Sequence, residues 1–258
     1  MVFTVKGFMG IKFIILGLLI LLSTVIFTSC SSVYMPNVPT SSMLSAKGEL
    51  YSSAHISLKG NVNINGAYAI SDHVGVLLNG SFINQDKRRK DFRQNLFETG
   101  AGYFTTFGED KKRILEIYGG LGTGSTDRVF RTFENDGTTT TDNQEVRFNK
   151  LFLQVNYSSK EKKSLKLFGK DYPLNYGTVI RLSRVNMNNF TINNISQPLE
   201  DNIFIEPVFF TRLKVNQAVQ IQYTSGSNFG LKNRDFLTAG NSVFTIGLVV
   251  NVGGIKFN

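Results

Sequence analysis

From Lys47 onward the apolar residues of this chain recur at every second position, and no stretch holds a helical period. A period of two puts one set of side chains on each face of a strand, whereas a helix needs a period of 3.6. Ten segments carry the pattern: 48–59, 61–70, 73–83, 95–107, 113–124, 146–157, 174–186, 202–213, 219–224 and 242–252. In the first, Leu50, Ala54, Ile56 and Leu58 oppose Glu49, Tyr51, Ser53 and His55. In the last, Phe244, Ile246, Leu248, Val250 and Val252 oppose Thr245, Gly247 and Asn251. Most segments are longer than the ~5–6 residues of an average globular strand and match the ~9–11 of a tilted membrane-spanning one. An all-β, up-and-down antiparallel transmembrane barrel of ten strands follows.

The connections support that reading. With both barrel termini on the periplasmic side, the gaps 59–61, 84–94, 125–145, 187–201 and 225–241 lie outside, and 71–72, 108–112, 158–173 and 214–218 lie inside. Outer-membrane barrels pair short periplasmic turns with longer outer loops. The tight first hairpin and the long gap at 158–173 break the rule; an extra hairpin around 164–168 would raise the strand count to twelve. Pro207, inside the eighth segment, cannot donate to a ladder and predicts a bulge or local gap. The Thr/Asn/Asp-rich stretch 134–143 reads as a mobile outer loop.

If the apolar face meets lipid, the lumen receives Glu49, His55, Asn63, Asn65, Asn79, Glu98, Glu116, Gln154, Arg181, Glu206, Arg212, Gln220, Gln222 and Asn251. Buried charges persist when they are paired and hydrogen-bonded, so Glu98, Glu116, Arg181, Glu206 and Arg212 are the expected polar network. That network is either a salt-bridged filling or the lining of a narrow channel or ligand cavity. Val179 and Val185 blur the alternation of the seventh segment.

Before the barrel lies a different kind of sequence. Residues 13–27, FIILGLLILLSTVIF, are apolar but too short to cross ~30 Å of hydrocarbon, and Lys6 and Lys12 precede or flank them. Small residues Thr28 and Ser29 then lead to Cys30, the only cysteine of the 258-residue chain. This resembles a bacterial lipoprotein signal, which implies cleavage after residue 29 and covalent lipid on Cys30, with Phe27 in place of the usual Leu. The formal charge is +9, and loss of the two leader lysines leaves +7. For a secreted chain that charge favours anionic lipid over nucleic acid. Residues 31–46, SSVYMPNVPTSSMLSA, are Ser- and Pro-rich without a period, and read as an extended tether. The domains are thus leader 1–29, lipidated N-terminus and tether 30–46, and barrel 47–258.

Catalytic and metal patterns are weak. One cysteine and two histidines eighteen residues apart make no metal site, and no cofactor beyond the lipid is expected. Gly119–Gly124, GGLGTG, lacks the Lys and helix of a phosphate loop and reads as room for bulky neighbours. His55 and Ser57 share one face, as in barrel lipid A deacylases, yet no acid is placed to orient the histidine. The basic clusters 87–90 and 160–163 read as solvated loop charge, the first able to meet lipopolysaccharide phosphates.

The whole mature chain resembles the outer-membrane β-barrel-like lipoproteins of Bacteroidota. The likeness rests on the lipobox, Tyr34-Met35-Pro36-Asn37, Lys47-Gly48-Glu49, Ala67-Tyr68-Ala69 leading to Asp72-His73, and the end 254–258, GIKFN. It implies an outer-membrane location and passage through the lipoprotein-sorting and barrel-assembly machineries. It implies no catalytic residues. Ser31-Ser32 is not the acidic pair of that phylum's surface-export signal, so the lipid is expected in the periplasmic leaflet. The expected role is structural or envelope-associated and non-catalytic; the alternatives are a small-solute pore or ligand-binding barrel, and a lipid-tethered soluble periplasmic barrel or sandwich.

Overall fold

The computed structural model describes residues 32–134, 138–167, 169–238 and 243–253. Cys30, the leader and the 254–258 end lie outside the described residues. Among the described residues the strands are β1 Leu50–Ser57, β2 Asn61–Ala69, β3 Val74–Lys87, β4 Lys90–Phe107, β5 Arg113–Phe133 and β6 Thr139–Leu167. They continue with β7 Lys170–Ile192, β8 Ile195–Ser196, β9 Asp201–Lys214, β10 Val219–Gly226, β11 Phe229–Gly230 and β12 Val243–Val252. β1 pairs with β2 on one side and β12 on the other, and β7 pairs with β9, so ten antiparallel strands close into a barrel. The two-residue strands β8 and β11 pair with β7 and β9 and take no part in closure.

Closure gives every wall strand a neighbour on both sides, which removes the exposed edges of a sheet. The alternating pattern then sorts the side chains. Outward positions include Leu78, Leu121 and Ile246, which are 70%, 62% and 62% exposed. Ile56, Phe97, Leu151, Ile180 and Phe209 continue this apolar belt around the wall. Inward positions are buried, whether polar or not.

We call the end where β1 starts and β12 stops the near end, and the opposite one the far end. The gap 158–173 holds no separate strand pair. Apart from a bulge between Ser159 and Lys163, β6 and β7 stay paired as far as Leu167↔Lys170, making a hairpin that runs past the last β5–β6 pair, Arg113↔Ser159. At the far end β3 and β4 continue to Lys87↔Lys90, and β5 and β6 to Phe133↔Thr139. Residues 139–143, expected as a mobile loop, are therefore strand. Their Thr-rich composition suits a ladder, and beyond the belt neither face has to be apolar.

Pro207 sits in an uninterrupted register with β7, opposite Ile180. On its other side the β9–β10 ladder ends at Val208↔Gly226 and pairing resumes with β11 at Ile205↔Phe229. The missing N–H falls at the expected local gap, where Pro207 still accepts a hydrogen bond from the Ser227 amide at 3.2 Å.

Candidate functional site: a lumen filled by the N-terminal segment

Residues 32–46, expected as an extended tether ahead of the barrel, lie within it. These residues run through the barrel from far end to near end and are almost all buried. At the far end the Val33 amide donates to the Phe236 carbonyl at 3.0 Å, and Thr126 donates to the Val33 carbonyl at 2.8 Å. The Gln94 side chain pairs with both backbone groups of Met35, at 2.8 and 2.7 Å. Midway, Val38 donates to Asn63 at 3.1 Å, Asn65 donates to the Val38 carbonyl at 3.3 Å, and Gln154 and Asn156 donate to the Thr40 carbonyl at 2.7 and 3.0 Å. At the near end the Lys47 amide reaches Asp72 at 3.1 Å, and Gly48, at φ 82°, turns the chain into β1.

The physical reason lies in the lumen. Buried backbone polar groups need partners. A polar lumen supplies Gln and Asn amides to an extended segment, and Pro36 and Pro39 have no N–H to satisfy. The same Ser/Pro-rich composition that suits water also suits this interior. Apolar residues anchor the two ends: Val33 and Tyr34 pack with Leu96, Phe148, Val185 and Phe204, and Leu44 packs with Tyr51, Phe104 and Tyr118. Val185 and Val179 thus face inward, Val179 joining Met43, Ile114 and Phe210.

The five charged residues named from the sequence all point inward and form two groups. In the first, Arg181 contacts Glu98 at 3.1 Å, Lys150 contacts Glu98 at 2.8 Å and Glu206 at 3.5 Å, and Tyr34 donates to Glu206 at 2.9 Å. Asn37 completes it, donating to Glu98 and accepting from Arg181, both at 2.8 Å. In the second, Glu116 and Arg212 form no ion pair among the described residues. Glu116 accepts from Ser42 at 2.6 Å, from the Met43 and Leu44 amides at 3.2 Å each, from Asn156 at 3.0 Å and from Tyr118 at 3.1 Å. Arg212 donates to the Ser41 carbonyl, to the Ser41 hydroxyl at 2.7 Å and to Gln222, and lies over the rings of Tyr51 and Phe210.

Lys150 was not among the residues named from the sequence. It shares the inward face of β6 with Gln154 and Asn156, so the two-residue period contained the signal. The glycines of β5 make room for this group. A Cβ at Gly122 would stand 3.0 Å from Glu98 Cγ, and one at Gly120 or Gly124 would collide with the rings of Phe152 or Phe148. His55 is buried and bonds Ser53 at 3.0 Å, whereas Ser57 accepts from the Asn61 amide. The histidine and Ser57 do not form a nucleophile–base pair. Of the other lumen candidates, Asn63, Asn65, Asn79, Gln154, Gln220 and Gln222 are buried, and Glu49 and Asn251 lie half-buried at the near end.

No family model and no curated protein matches the chain. Among solved structures it is similar to the translocator domain of the autotransporter NalP from Neisseria meningitidis, at 9% identity and a TM-score of 0.47, over 78% of this chain and 86% of that one.

Proposed function

We propose that this chain is an outer-membrane barrel that closes its own lumen with its N-terminal segment, a non-conducting and non-catalytic envelope component carrying lipid on Cys30. The path of 32–46 carries the reading. A channel needs a continuous polar space, and here each level of the lumen holds a buried residue of that segment, from Val33 to Leu44. The exterior belt favours a bilayer over the periplasm, because a soluble barrel rarely exposes an apolar surface of this extent.

The same path bears on the lipid. Ser32 bonds the Thr238 carbonyl at the far end. Cys30 precedes it by two residues, a reach of about 7 Å, so an acyl anchor there belongs to the far end. Outer-membrane barrels turn their longer hairpins outward, and here the β3–β4 and β5–β6 hairpins extend at the far end. That supports the outer side for the lipid, as the alternative to the periplasmic leaflet expected from Ser31-Ser32. Barrel-assembly and lipoprotein-sorting machineries remain the proposed partners, with lipopolysaccharide phosphates facing Arg88 and Arg89 at the β3–β4 turn.

Two experiments test this. The Cys30→Ala variant should stay in membranes through an alkaline wash; release would leave the lipid as the sole anchor and support the soluble alternative. An epitope inserted between Ser31 and Ser32 should bind antibody on intact cells, while one in the 215–218 turn should require permeabilisation. The opposite pattern would reverse the orientation.

A further inference from the structure

A groove of about 670 Å3 lies at the near end, lined by β6, β7 and β9 and the start of β5. One side is aromatic: Tyr157 and Phe209, 46% and 58% exposed, with Tyr176. These rings continue the apolar belt, and Tyr103 and Phe107 on the adjoining β4 and Tyr68 further round the wall on β2 stand exposed, as aromatic residues do at a membrane–water boundary. The other side is basic, with Lys112, Arg113, Lys160 and Lys163 against one carboxylate, Glu109. Lys112 is paired with Asp110 at 3.1 Å, and Lys160 donates to Ser45 at 2.9 Å. Arg113 and Lys163 make no ion pair among the described residues. Two uncommitted cations thus stand beside an exposed aromatic wall.

We propose that this groove binds the headgroup of an anionic phospholipid, its phosphate at Arg113 and Lys163 and its acyl chain along Tyr157 and Phe209. Charge and shape select that occupant. A soluble phosphate would leave the aromatic wall uncovered, and a zwitterionic headgroup carries a cation that the basic side repels. Charge-assisted bonds from Arg to phosphate are strong, and cations beside an anionic membrane surface add to them. The basic cluster at 160–163 then serves in part as a binding surface. The proposal rests on the membrane-spanning reading above.

The full chain, reconstituted in nanodiscs of phosphatidylcholine alone or mixed with phosphatidylglycerol, would be released for native mass spectrometry. Phosphatidylglycerol should be retained over phosphatidylcholine, and the Arg113→Gln/Lys163→Gln double variant should lower its retention on the order of tenfold. The charge-preserving Arg113→Lys/Lys163→Arg variant should keep most of it. Arg88→Gln/Arg89→Gln, at the far end, should keep all of it. Equal retention of the two lipids, an equal loss in the far-end variant, or displacement by inorganic phosphate would overturn the proposal. Failure to insert into phosphatidylcholine nanodiscs would instead overturn the membrane reading.

Discussion

Two Glu–Arg groups share one lumen and are built on different terms. Glu98 and Arg181 touch directly at 3.1 Å, with Lys150 beside them, and all three belong to the barrel wall. Glu116 and Arg212 are separated by the N-terminal segment: Ser41 turns its carbonyl to the arginine, and Met43 and Leu44 turn their amides to the glutamate. A peptide stretch there performs the compensation that a counter-ion performs at Glu98. Buried charge is costly unless matched. The wall supplies all the counter-charges of the first group, to which Tyr34 and Asn37 of the segment add hydrogen bonds, and it needs 32–46 for the compensation of the second. The segment is therefore a structural member of the barrel and more than a stopper.

The largest expected effect comes from removing the segment. Deleting 33–45 should open stepwise conductance in planar bilayers, where the intact chain should be silent, and should lower stability more than any single substitution, since Glu116 and Arg212 both lose partners. Next, Glu98→Gln should cost about 3–5 kcal/mol in urea unfolding from detergent, as expected for a broken buried ion pair. That cost should persist in the deletion background, because its cations come from the wall. Ser42→Ala removes one of five donors to Glu116 and should cost about 1 kcal/mol. A double-variant cycle separates the groups: coupling to Glu116→Gln should be measurable and coupling to Glu98→Gln near zero.

The smallest effect concerns the far-end loop that receives Val33. Asp201 holds Lys232 and Arg234, and these bonds keep its carboxyl below the ordinary carboxylate range. A lowered folded pKa means the clamp contributes above the unfolded value of about 4 and is lost as pH falls through the folded one. Hydrogen exchange of 229–238, corrected for intrinsic rates, should rise on acidification below that range, and Asp201→Asn should raise it already at neutral pH.

The wall was legible in the sequence because one physical variable, outward or inward, alternates residue by residue. Leu151, Leu153 and Val155 define the outer face of β6, and the same count places Lys150 inside. The segment 32–46 was not legible. Its Pro and Ser residues satisfy water and a polar lumen equally, and nothing local distinguishes the two. Val179 and Val185 held a clue: apolar residues on an inward face need an apolar partner, and Met43 and Val33 supply it. Glu98, Arg181 and Glu206 each meet an opposite charge. Glu116 and Arg212 do not among the described residues, and backbone dipoles and aromatic faces take that place.

The central claim is that 32–46 lies inside the barrel. Val38 sits between Asn63 and Asn65 of β2, with hydrogen bonds of 3.1 and 3.3 Å. A photoreactive benzoylphenylalanine at position 38 of the full chain in native membranes should cross-link to the peptide carrying 61–69, identified by mass spectrometry. Cross-links only to other proteins or lipid, together with ready proteolysis of 32–46, would contradict it.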